Sequence, residues 1–505
     1  MSTTVFRGVT VVDGTGGPAF RADVTVAGDR IASVEPVAGT AGGPVLAPGF
    51  VDMHAHSDLA LLTAPDHLAK VSQGVTCEVI GQDGLSYAPV DDVTLPQLRQ
   101  QIAGWNGDPP GFDWTWRTVG EYLDRLDEGI AVNACYLVPH GNVRALVLGW
   151  EPRPPAESEL DRMRALVAAG LDDGAFGLSA GLTYTPGMYA STAELVALCS
   201  VVARHGGFLD VHHRSYGAGA LSAYAEMVSV SLASGCPLHL AHATMNFPVN
   251  AGRAGELLDL LDPSSVTLDT YPYTAASTTL ASLLPSWAAA GGPAATLARL
   301  ADPAERERIR VEVEERGSDG NHGVPVDWTA VHVSSSTVDG RVGTAVASFD
   351  DFVGLLVADR LATTVVLHVG DEENVRAIMA YPGHLVGSDG LLVGDRPHPR
   401  AWGTFPRYLG HYVRELGVIP LEECVARMTG RAARRLGLAD RGLIRPGYAA
   451  DLVLFDPATV ADTATYDDPR RQCTGIEAVY VNGVPVLADG RLTGARPGRA
   501  LRRPR

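Results

Sequence analysis

The sequence predicts an α/β architecture: a TIM-type (β/α)8 barrel with a small β-sandwich domain built from both termini and an inserted lid subdomain. Three observations carry this expectation. Eight short apolar runs alternate with helical patterns through the middle of the chain, as parallel strands and their crossover helices do. Both ends instead alternate apolar and polar positions in short runs separated by Gly-rich turns. Between them, residues 281–345 break the rhythm with the charged helical run from Asp302 to Arg316, followed by a Gly/Ser-rich stretch.

Taken in order, residues 1–45 hold antiparallel strand signals at 5–12 and 23–26, and 445–505 holds matching ones at 450–455 and 478–486. The two ends together form the expected sandwich. The barrel occupies 46–444, its strands expected at 46–53, 75–80, 131–138, 175–179, 208–212, 237–241, 266–271 and 384–388. The lid falls within it at 281–345.

Bulk properties exclude several function classes. The 505 residues exceed one typical core, and 46% hydrophobic with 19% charged residues is an ordinary globular composition. A formal charge of −18 leaves no basic stripe to neutralise phosphates, so nucleic acid and anionic membranes are excluded as expected partners and a small molecule is favoured. No leader pattern opens the chain and no run is long and apolar enough to span a bilayer, which gives a cytoplasmic expectation. The six cysteines are scattered, with no Cys-x-x-Cys pair, and read as reduced thiols. Lys70 is the only lysine.

Chemistry in such a barrel collects at the C-terminal ends of the strands. There the chain places His54 and His56, Asp83, His212 beside His213, His242, and Asp389. Residues i and i+2 share a strand face, so His54 and His56 can converge on one cation. Together these imidazoles and carboxylates suit zinc or another borderline divalent ion. Each also has a plainer reading. Asp83 and Asp389 precede Gly, as turn residues do, and only one of the adjacent His212 and His213 can enter a site. His140 and His398, in strand-end loops, are further candidates for a pocket wall.

These strand ends lie in a series of motifs that resembles the amidohydrolase superfamily, and within it the N-acyl-D-amino-acid deacylase (D-aminoacylase) group. The series runs Pro48-Gly49-Phe50-Val51-Asp52-Met53-His54-Ala55-His56, Gly177-Leu178-Ser179-Ala180-Gly181-Leu182, Tyr271-Pro272-Tyr273, Gly387-Ser388-Asp389-Gly390, His398-Pro399-Arg400 and Ala450-Asp451-Leu452-Val453. The resemblance implies that His54 and His56 are ligands of a weaker metal position and His212 and His242 of a tighter one. It further implies that Asp389 is the catalytic acid/base, that Tyr271 and Ser277 touch the scissile group, and that Tyr184 lines the pocket. Arg400 is the candidate for holding a substrate carboxylate, because a guanidinium binds one bidentately; an Arg on an exposed loop is the alternative.

Two positions depart from the group's pattern. Gln82-Asp83-Gly84 stands where an Asn-Cys-Gly turn is expected, and Thr244 where a Lys is common after the sixth-strand His. Asp83 keeps the negative charge of a thiolate but offers two harder oxygens able to bridge two ions, which admits manganese, cobalt or iron beside zinc. A carboxylated lysine bridge is not expected with Lys70 alone. The implied function is metal-dependent hydrolysis of the amide of an N-acyl-D-amino acid or related amide. A cyclic amide or D-configured dipeptide hydrolase is the alternative, and a non-catalytic metal-binding barrel the alternative of another class.

Overall fold

The computed structural model describes residues 3–504; residues 1, 2 and 505 of the two terminal segments lie outside it. Its centre is an eight-stranded parallel sheet in sequential order: β1 (Phe50–Asp52), β2 (Val75–Ile80), β3 (Asn133–Pro139), β4 (Gly177–Gly181), β5 (Phe208–His212), β6 (Leu238–Leu240), β7 (Val266–Thr270) and β8 (His384–Val386). Seven of the expected barrel strands are present close to their expected places, while the run expected at 46–53 is divided: Val45–Pro48 joins the terminal sheet and Phe50–Asp52 alone enters the barrel. β2 and β3 are buried at every residue, as strands covered on both faces must be, and this is why they are predominantly apolar in sequence, with Thr76, Glu78 and Asn133 the buried polar exceptions. The ring closes between β8 and β1, where Met53 N donates to Val386 O at 3.0 Å and Asp389 N to His54 O at 2.8 Å.

The termini share one eight-stranded sheet. Strands Thr3–Val11, Phe20–Ala27 and Arg30–Pro36 form one side, Leu452–Phe455, Ile476–Val481, Val484–Ala488 and Arg491–Leu492 the other, and Val45–Pro48 joins them. Alternation is visible in Phe20–Ala27, where Ala22, Val24 and Val26 turn inward onto Val11, Ile31, Leu46 and Leu452. Phe50 ties this sheet to the barrel: its ring stacks on Phe405 at 5.7 Å and tilts against Phe455 at 6.2 Å.

The inserted layer is wider than the 281–345 stretch. Its three antiparallel strands, Ala276–Thr279, Val331–Ser335 and Thr364–Leu367, pair across long loops, with the last in the middle. With helices such as Phe349–Ala358 it encloses a separate apolar core that includes Leu283, Val313, Val333, Phe352 and Val365. Its inner edge forms part of the wall above the barrel mouth.

Candidate metal centre

Parallel strands all discharge their C-terminal residues at one mouth, and the sequence there bends sharply. His212 ends β5, while His54 and His56 follow β1 directly. Asp83, His242 and Asp389 sit just past β2, β6 and β8 with φ of 54°, 29° and 48°, the left-handed region. For non-glycine residues this costs on the order of 1–3 kcal/mol each, a strain characteristic of functional sites. Gly84 beside Asp83, itself at φ +70°, leaves room that a side chain would not: an added Cβ would lie 2.7 Å from Gly181 N. The Asp-Gly pairs are therefore turns and site residues at once.

Six side chains converge. Asp83 Oδ1 lies 3.5 Å from His242 Nε2 and 3.6 Å from His54 Nε2, and its Oδ2 lies 3.5 Å from His212 Nδ1 and 3.6 Å from His56 Nε2. Asp389 Oδ1 adds contacts of 3.2 Å to His56 Nε2 and 3.8 Å to His54 Nε2. Two ligand sets result, His54-His56-Asp83-Asp389 and Asp83-His212-His242, with Asp83 common to both. Ligands about 2.0–2.1 Å from a tetrahedral zinc stand roughly 3.4 Å apart, so these separations are those of a coordination shell, not of direct hydrogen bonds. Both ring nitrogens of His54 and Asp83 Oδ1 are buried without a hydrogen-bond partner. Of these, His54 Nε2 and Asp83 Oδ1 face each other at 3.6 Å, a pair of orphaned atoms that fits a cation between them.

The electrostatics agree. Burial alone would raise Asp83, yet His212, His54 and His242 hold it well below the usual carboxylate range. Burial lowers His242, but Asp389 and Asp83 push it up to about 9. A short bond between Thr183 Oγ1 and His212 Nε2 (2.6 Å) leaves Nδ1 to face Asp83. His213, as expected of the second member of the pair, turns away and packs on Tyr216 and Tyr224. Lys70 is not at the centre. Its buried ammonium, which burial lowers and Asp52 and Glu78 raise above its ordinary value, lies one layer behind.

Above the centre opens a cavity lined by His56, Asp83, His212, His242 and Asp389, and by the expected Tyr184, Tyr271 and Ser277. Thr244 also faces it. Arg400 stands beside the cavity: its guanidinium is 1% exposed, donates from Nη2 to Asp389 Oδ2 (2.9 Å) and Ser277 O (3.2 Å) and lies over the Tyr271 ring, while its Nε and Nη1 are buried without a hydrogen-bond partner. Two other expectations need correction. His140 is drawn to Glu194 at 2.8 Å, and His398 accepts from Arg400 N at 3.0 Å; neither reaches the cavity. Trp105, Tyr216, Asn246 and His322 do, unforeseen. Tyr216 follows His212 in a strand-end loop, a position that could have marked it, whereas His322 comes from the inserted layer and carries no local signal.

Comparison with known proteins adds independent findings. An amidohydrolase family model matches residues 40–487. A D-aminoacylase from Alcaligenes xylosoxydans xylosoxydans is 36% identical, with 99% of this chain and 97% of the relative covered. An N-acyl-D-aspartate deacylase of the same organism is 36% identical over 98% and 94%. Among solved structures, the N-acyl-D-glutamate deacylase of Bordetella bronchiseptica, complexed with zinc and a phosphonate mimic of the tetrahedral intermediate, superposes with a TM-score of 0.81 at 33% identity, covering 99% of each chain.

Proposed function

The chain belongs to the amidohydrolase family and is a hydrolase of carbon–nitrogen bonds, and from that premise we propose that it deacylates N-acyl-D-amino acids with neutral side chains. The observation that carries the reading is the carboxylate of Asp83 shared by two ligand sets at the floor of a cavity, one set containing Asp389.

The centre is a site for divalent metal. His54, His56, Asp83, His212 and His242 would hold one or two ions, supplying a water acidified toward neutrality and a Lewis acid for the amide carbonyl. Zinc is the reading supported by the B. bronchiseptica relative, and the hard oxygens of Asp83 admit manganese, cobalt or iron.

The protein's own groups do the rest. Asp389 presents Oδ1 toward the His54–His56 side and takes the proton of the attacking water there, then returns it to the leaving nitrogen. Arg400 holds Oδ2 and keeps the carboxylate ionised, so that one oxygen is aimed and ready. The hydroxyl of Tyr271 is pushed up by burial and stays protonated at neutral pH, a donor for the developing oxyanion. Ser277 sits beside it on the same wall, with Arg400 behind both. Trp105, Tyr184, Leu283 and Leu391 offer apolar surface for the acyl group. Among the described residues no Lys or Arg lines the cavity, and Thr244 and Asn246 are uncharged, so a second carboxylate, on the side chain and beyond the α-carboxylate that every such substrate carries, would be desolvated there without a counter-charge of its own.

The test is Asp389→Asn, assayed on N-acetyl derivatives of neutral and acidic amino acids of both configurations. Wild type should prefer the neutral D series, and the variant should retain metal while losing about 100- to 10,000-fold in kcat. Undiminished hydrolysis by the variant, or faster turnover of acidic or L substrates by the wild type, would count against the proposal.

A further inference from the structure

The one lysine of the chain occupies a place where basic residues are rarely found. Lys70, on the short helix Leu68–Val71 between β1 and β2, is fully buried. Its Nζ donates to Asp52 Oδ2 at 2.6 Å and Ser388 Oγ at 2.8 Å, and lies 3.0 Å from Glu78 Oε1. These acceptors come from the end of β1, from β2, and from the turn after β8. The ammonium therefore ties the seam where the last barrel strand meets the first.

What is tied there is the metal centre. Asp52 Oδ1 accepts from His54 N at 3.2 Å and from Ser388 N at 2.8 Å. Ser388 Oγ contacts His54 O at 3.3 Å and accepts from Gly390 N at 3.2 Å, so it spans both sides of Asp389. Glu78 is in turn fixed by His67 Nε2 at 2.7 Å and Ser57 Oγ at 3.0 Å. His54 N and O, Ser388 N and Gly390 N thus bond to Asp52 or Ser388, both held by Lys70, around the direct bond from Asp389 N to His54 O at 2.8 Å. A compact ammonium with three donors suits three acceptors arranged in space; the planar guanidinium that serves elsewhere in this chain does not.

We propose that Lys70 is a positioning residue which, through Asp52 and Ser388, sets the relative placement of His54 and Asp389 and so the affinity of the ligand set His54-His56-Asp83-Asp389. The inference rests on the reading of that set as a metal site. Outer partners of this kind typically change metal affinity or activity by about 10- to 100-fold when removed.

The experiment compares wild type, Ser388→Ala, Lys70→Arg and the charge-neutral double variant Lys70→Met/Glu78→Gln. Each is stripped, then titrated with zinc and with cobalt(II), following stoichiometry by equilibrium dialysis and the cobalt absorption spectrum. Thermal unfolding and the split between kcat and KM are measured alongside. In all three variants the affinity of one of two metal equivalents should fall by about 10-fold or more with an altered cobalt spectrum, while the other equivalent is unchanged. In the Ser388→Ala protein kcat should fall with KM little affected, and Lys70→Arg should not rescue.

Lowered melting temperature with unchanged affinity, spectrum and kcat would overturn the proposal by making Lys70 merely structural. Rescue by Lys70→Arg, or loss of the fold in Ser388→Ala, would overturn it too. Failure of the wild type itself to bind cobalt would instead fail the metal-site reading, so the two are separable.

Discussion

Asp83 shows how much and how little a residue type reveals. Its carboxylate, its Gly neighbours and its place after a strand were legible in the sequence, as were the His-x-His pair and Asp389 before Gly390. What was not legible is direction. Arg400 is close enough to the site to touch it, but only the fold determines that its guanidinium meets Asp389 and Ser277 rather than the cavity. Likewise nothing in the sequence announced that Lys70 and Glu78 would be buried together. Burial would raise Glu78, but His67 and Lys70 hold it down at about 2 against an ordinary value of 4.5. A depressed carboxyl contributes stability that is present above pH 4.5 and lost as the pH falls through about 2, here on the order of 3 kcal/mol. Urea unfolding of wild type and Glu78→Gln should therefore diverge most above pH 4.5 and converge toward pH 2; a constant difference would mean that the carboxylate charge is not what stabilises.

Among the elements, the barrel strands were readable because strands buried on both faces carry predominantly apolar runs, and the alternation of Phe20–Ala27 exposed the terminal sheet. The inserted layer was not readable to its edges. Its strands at Ala276, Val331 and Thr364 pair across dozens of residues, and pairing of that range leaves no local pattern. Because it contributes Ser277, Leu283 and His322 to the cavity, part of the cavity wall is supplied by the segment least visible in the sequence. Where the barrel meets the terminal sheet, Phe50 is the hinge of packing: fully buried, between Phe405 and Phe455. Phe50→Ala should cost about 3–5 kcal/mol by leaving a cavity at that junction, read from denaturant midpoints. A loss under about 1 kcal/mol would show that the two layers are held by the strand Val45–Pro48 instead.

At the scale of the whole molecule the parts have a division of labour. The closed ring gathers six His and Asp side chains from five strand ends, the terminal sheet braces the end of the barrel through Phe50, and the inserted layer forms part of the wall above the mouth. No helix among the described residues is long and apolar enough to cross a membrane. All of this architecture converges on Asp83, the side chain common to the two groups of residues able to hold a metal ion. The most direct measurement is hydrolysis of an N-acetyl-D-amino acid with a neutral side chain before chelation, after it, and after zinc is returned. The account predicts activity abolished by stripping and restored by zinc, with the fold intact throughout; undiminished turnover by fully stripped protein would contradict it.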